Sequence, residues 1–160
     1  MSFWRIGMGK KIINQKTSDN TYFHPDFHIA LNHCIEYLHQ SFGDEAVREY
    51  LIQFASSYFA PLKKALMEKG LPAFKEHYEK IYKIESAVFG MIISQNELDI
   101  HLSESPAVKH IRTGGHRVAS LYRETVASVN KEICRDTDYD CKVIDYNDEN
   151  GAYHIRFYRR

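Results

Sequence analysis

The sequence predicts an α+β fold: three N-terminal helices, then a β-hairpin, two helices and a second β-hairpin, with a small antiparallel sheet packed on helices. Three observations predict it. Apolar residues recur at helical spacing from Pro25 to about Ser86. The period then drops to two, with Leu98, Ile100 and Leu102 alternating with Asp99, His101 and Ser103, the pattern of a sheet with one wet face. Turn residues, Gln95-Asn96 and then Asn147-Asp148-Glu149-Asn150-Gly151, each separate two strand-like segments.

The first helix spans the stretch from Tyr22 to Phe42, opened by His24-Pro25-Asp26. At about 100° per residue, Phe27, Leu31, Cys34, Ile35, Leu38 and Phe42 fall on one arc, the apolar stripe of a core-facing helix. His24, His28 and His39 line one shoulder of that arc, and His33 points away from it. Pro25 suits a first turn, where its missing N–H costs nothing, and Asp26 complements the positive end of the helix dipole. Ser41-Phe42-Gly43-Asp44 stops this helix and caps the next, which runs from Asp44 or Glu45 towards Gly70. Pro61 interrupts its pattern and predicts a kink or break near Ser57–Phe59. A third helix follows Gly70, from Pro72 to about Ser86.

Ala87–Ser94 and Glu97–Ser103 form the first hairpin. Ser105 then reads as an N-cap with Pro106 at the first helical position, beginning a short helix to Ile111 or Arg112. After the flexible turn Thr113-Gly114-Gly115-His116 a helix is expected from Val118 to Cys134, with Thr125 on its core side and Glu124 nearly opposite. Asp138–Tyr146 and Ala152–Tyr158 complete the second hairpin.

A chain of 160 residues suits one domain with a sizeable core. We divide it into an N-terminal arm, residues 1–20, and a single α+β domain, residues 21–160. The arm carries Trp4, Ile6, Met8, Ile12 and Ile13, and is expected to dock on the domain or to form a homodimer with a second subunit. Hydrophobic residues at 44% and charged residues at 26% argue against disorder. The 21 basic residues balance the 21 acidic ones, so no electrostatic nucleic-acid or anionic-membrane surface is expected. No apolar run approaches the ~20 residues needed to span a bilayer. The first residues lack the apolar run of a signal peptide. Cys34, Cys134 and Cys141 form no CxxC pair, and a reducing cytoplasmic setting is the expectation.

Chemistry is harder to read. The sequence has 11 tyrosines and 9 histidines, which hints at a half-polar cavity, although tyrosines are also large core residues. There is no GxSxG elbow, P-loop, GxGxxG fingerprint or HExxH helix, and no cofactor is expected. His24 and His28, four apart, stack on one side of a helix. They read as boundary histidines bonded to a neighbouring element, as a polar pocket wall, or as two metal ligands without a third, and no metal is assigned to them. Cys34 lies in the apolar face and Cys134 at a helix C-terminus, so neither reads as a nucleophile. Lys109-His110-Ile111-Arg112 and Gly114-Gly115-His116-Arg117 gather cations near a flexible turn. They read either as a solvated basic turn or as a receiver for a carboxylate, gripped by Arg112 or Arg117.

The order LxxSPAVxHIRxxG, then LYxETxxxVNxxIC, then a hairpin with GxxHxRF resembles the L-2-amino-thiazoline-4-carboxylic acid hydrolase-like family, small bacterial α+β proteins. The resemblance runs from about Pro25 to Phe157. This chain has Ser105, Tyr122 and His154 where that family often carries cysteine. The resemblance implies hydrolysis of a cyclic C–N bond in a small carboxylated heterocycle, which needs an activated water, a general acid for the leaving nitrogen and a carboxylate clamp. On that reading His24, His28 and His110 are the catalytic candidates. Tyr58, Arg112, Tyr122 and Thr125 are the substrate-binding candidates, in a pocket between helices. The alternative is a non-catalytic sensor or binding domain for a small carboxylated or aromatic ligand, related to 4-vinyl-reductase-type ligand domains. Histidines converging on one cavity favour the enzyme, and histidines pointing apart favour the binder.

Overall fold

The computed structural model describes residues 25–160, so His24 and the arm lie outside the described residues. Four helices come first: α1 (Asp26–Phe42), α2 (Asp44–Tyr58), α3 (Ala60–Lys69) and α4 (Leu71–Ile84). The hairpin β1 (Phe89–Ile93) and β2 (Glu97–Leu102) precedes α5 (Pro106–Thr113) and α6 (Glu124–Cys134). The hairpin β3 (Tyr139–Tyr146) and β4 (Tyr153–Arg159) closes the chain.

The proline near the middle of the expected second helix has split it in two. Phe59 leaves helical geometry at φ −95°, ψ 11°, and Pro61 then occupies the first turn of α3, where its lack of an N–H is harmless. Ser105 caps α5 as expected, its hydroxyl accepting from Val108 N at 3.3 Å.

Two local expectations fail. The helix expected from Val118 begins only at Glu124, because the preceding segment is held in turns by another element. The apolar arc of α1 is also narrower than its periodicity suggests. Leu31 and Ile35 are buried, whereas Phe27 and Phe42 at its ends remain exposed. Phe27 instead stacks on Phe54 of α2, with ring centroids 6.2 Å apart.

The four strands form one antiparallel sheet in the order β1-β2-β4-β3. The last strand is therefore central, paired with β2 through Leu98↔Phe157, Ile100↔Ile155 and Leu102↔Tyr153. Alternation explains why: β2 and β4 both present apolar side chains to one face, and the helices cover that face. Leu98, Ile100, Ile155 and Phe157 are all buried, and Phe157 stacks on Phe74 of α4 at 4.5 Å between centroids. Each such side chain contributes roughly 1.5–3 kcal/mol by leaving water. The opposite face, with Asp99, His101, His154 and Arg156 in register, is the wet one.

Candidate ligand-binding site

The best candidate lies where α4 runs into β1. The helix ends in a Schellman turn, with Ser86 N–H donating to Lys83 O at 3.2 Å and Ala87 N–H to Tyr82 O at 2.9 Å. Ser86 takes the left-handed position (φ 54°) that glycine usually fills. The turn fixes Glu85 at the helix end and aims its carboxylate inward, where only 13% of the side chain stays accessible. Oε1 lies 3.4 Å from His28 Nε2, which α1 supplies from across the domain.

Tyr82, Tyr122 and Tyr153 lie within the field of this acid, and Tyr146 lies near Tyr122 and Tyr153. Tyr82 belongs to α4, Tyr122 to the turns before α6, Tyr146 to the end of β3 and Tyr153 to the start of β4, directly opposite Tyr146 in the register. The hydroxyls of Tyr82 and Tyr153 are hydrogen-bonded to each other. Burial pushes the phenols of Tyr82, Tyr122 and Tyr153 up, and the negative field of Glu85 adds to it in each case. Burial likewise raises the Tyr146 phenol to about 12. These hydroxyls therefore stay protonated at physiological pH.

Chemically, a partly accessible carboxylate beside an imidazole can accept from a group that donates two hydrogen bonds, such as an amidine or aminoheterocycle. The same pair can orient and polarise a water molecule, the first requirement of hydrolysis.

The residues singled out from sequence distribute unevenly around this cluster. His28 pairs with Glu85, and Tyr122 lies within the field of that carboxylate. Thr125 stands one step behind, its hydroxyl donating to Tyr122 O at 2.7 Å and so helping to hold that turn. His110 turns away to the surface and pairs with the exposed Asp26 at 3.2 Å. Arg112 is exposed on α5, and Tyr58 is exposed on α2, stacked on Phe54 at 5.2 Å between centroids. Glu124, expected to face solvent, is instead half-buried between helices, within 3.4 Å of Arg48 Nε and bonded by Ser128. Glu85, Tyr82, Tyr146 and Tyr153 escaped the sequence reading. The excess of tyrosine was the available signal, but composition carries no positions.

A recess of about 370 Å³ lies between α2, α6 and β3, away from Glu85, lined in part by Arg48, Lys131, Glu132 and Arg135. Its cations are already matched, Arg48 by Glu124, Lys131 by Asp140 at 2.6 Å and Arg135 by Glu132 at 2.8 Å, so it offers no spare charge for an anion. Arg135 approaches Glu132 Oε2 off the hydrogen-bonding direction, leaving that oxygen unsatisfied, while Ser56 donates to Oε1 at 2.6 Å. Among the described residues, the group with the donors to hold a metal ion is Asp99, His101 and His154 on the wet face of the sheet.

Comparison with protein-family models and with curated proteins finds no match for this chain. No helix among the described residues is long and apolar enough to cross a membrane.

Proposed function

We propose that this chain is a small-molecule-binding α+β domain whose ligand is a flat heterocycle or aromatic carrying an amidine-like donor edge, received by Glu85 and His28. The observation that carries this reading is the Glu85 carboxylate, 13% accessible and 3.4 Å from His28, with the buried Tyr82 and Tyr122 and the Tyr153 phenol within its field. An acid held this far from water gains from a ligand that supplies complementary donors. The histidines favour binding over catalysis, since His28 and His110 answer to different carboxylates. The ligand's own carboxylate, where it has one, faces outward from Glu85, because two anions repel at close range.

The test is thermal shift and calorimetry with 2-amino-thiazoline-4-carboxylate and related cyclic amidines. Saturating ligand is expected to raise the Tm, as mass action requires. Glu85→Gln is expected to abolish that rise while the unliganded protein keeps its fold. Equal rises in both proteins would refute a role for Glu85.

A second reading rests on the His28–Glu85 pair: hydrolysis of the ring C–N bond, with this pair activating water. It is the activity that the resemblance to the thiazoline-carboxylate hydrolases implies. Ring opening of the same compound followed by proton NMR separates the two readings, because a binder leaves the spectrum of the compound chemically unchanged. The reading includes a reducing cytoplasm, supported by the free thiols of Cys34, Cys134 and Cys141. It also includes a homodimer formed through residues 1–20, for which the exposed Phe27 and Tyr58 supply aromatic surface beside the start of α1.

A further inference from the structure

The wet face of the sheet carries a group that ligand binding at Glu85 does not use. His101 on β2 and His154 on β4 are direct partners in the register, and their rings stack with centroids 3.9 Å apart. Asp99 sits two residues before His101, hence on the same face of β2. Its Oδ1 lies 2.5 Å from His154 Nε2. One ligand atom from each of the three falls within 4.8 Å of the others.

From this juxtaposition we infer that Asp99, His101 and His154 form a binding site for a borderline divalent cation such as Zn²⁺. Two imidazoles and one carboxylate are the donor set such ions prefer over the harder Mg²⁺ and Ca²⁺. The scaffold is suited to it. Opposed residues on neighbouring strands hold their Cβ atoms about 4.5–5.5 Å apart, close enough for two imidazoles to reach one ion without moving the backbone. Ligand atoms around a tetrahedral ion at bonds of about 2.0–2.1 Å are separated by roughly 3.4 Å. Asp99 and His154, now 2.5 Å apart, have to open to reach that spacing, and the exposed His101 has to turn out of its stack on His154 to aim a ring nitrogen at the same ion. Three protein ligands leave a fourth position to water on the open face, as in sites with an accessible coordination position.

Arg156 is the competitor. Its Nε donates to Asp99 Oδ1 at 3.0 Å, so its charge sits beside the incoming ion. Arg156 and His154 share this one oxygen, so an ion taken up at Oδ1 displaces the guanidinium.

Calorimetry of the full chain with Zn²⁺, and visible absorption with Co²⁺, test the site. The expected result is one saturable equivalent with a tetrahedral Co²⁺ band. His101→Ala, at an exposed position, is expected to weaken binding by about tenfold or more with an unchanged circular dichroism spectrum. Arg156→Gln is expected to tighten binding. His33→Ala is the control, since His33 and His116 form another imidazole pair, with centroids 4.8 Å apart, on a different surface. No saturable Zn²⁺ binding, or binding that persists in His101→Ala and vanishes in His33→Ala, would overturn the assignment. Neither result bears on the Glu85 site, which is read out by organic ligands.

Discussion

Asn32 of α1 receives the backbone N–H of Ala119 on its Oδ1 at 2.8 Å, and this contact decides the path of the chain between α5 and α6. The same amide donates through Nδ2 to Arg117 O at 2.9 Å. One buried side chain thus satisfies both sides of a segment whose own residues favour helix, and it holds the turns from which Tyr122 enters the core. Buried amides of this kind are effective because each lost partner strands a polar group away from water.

Replacing Asn32 with Leu keeps the volume and removes both bonds. Urea unfolding is expected to show a loss of about 2–4 kcal/mol, the cost of two stranded backbone groups. A loss below about 1 kcal/mol would mean that the turns stand without Asn32.

Gly151 closes the β3–β4 turn at φ 68°, and a Cβ there would lie 2.6 Å from both Ser105 Cβ and Val108 Cγ2. Neither atom is the free end of a flexible chain, so the turn and α5 would have to separate. Gly151→Ala is expected to destabilise by about 2–4 kcal/mol, combining overpacking with the left-handed backbone cost. The measurement is the denaturation midpoint at unchanged m-value. Wild-type stability would show that α5 can shift freely.

Acid sensitivity should trace in part to Asp140 at the start of β3. Burial raises its carboxyl, but Lys131 Nζ at 2.6 Å and the Cys141 N–H at 2.8 Å outweigh that and hold it below the usual range. Because the folded value is depressed, the unfolded chain takes up the proton first as pH falls. The stabilisation is complete above an unfolded value of about 4 and disappears as pH drops through the folded one. Asp140→Asn should therefore be less stable than wild type at pH 7, with the difference shrinking as the pH falls below about 4. A constant difference across that range would assign the effect to packing.

Local sequence was sufficient wherever one element answers only to itself. Pro61 placed the break between α2 and α3, Ser105-Pro106 opened α5, and Gln95-Asn96 turned the first hairpin, since backbone chemistry acts over a few residues. The candidate site was half visible. His28 could be singled out as a polar position beside an apolar face and Tyr122 as a core-facing phenol that the resemblance made a binding candidate, and Glu85 could not, because nothing near it distinguishes a helix-end acid that turns inward from one that turns to water.

What the sequence determined by itself is the inventory: helices from a period of 3.6, strands from a period of two, and turns where proline, glycine and asparagine constrain the backbone. Tertiary structure alone decided that the final strand takes the centre of the sheet, that a helix-prone stretch becomes turns bound to Asn32, and that His154 comes to rest against His101. Those outcomes depend on pairing residues more than fifty positions apart, as in His101↔His154 and Ile100↔Ile155. Such pairings are chosen by which buried faces fit together, and that fit is a property of the assembled core, which no short window of sequence contains.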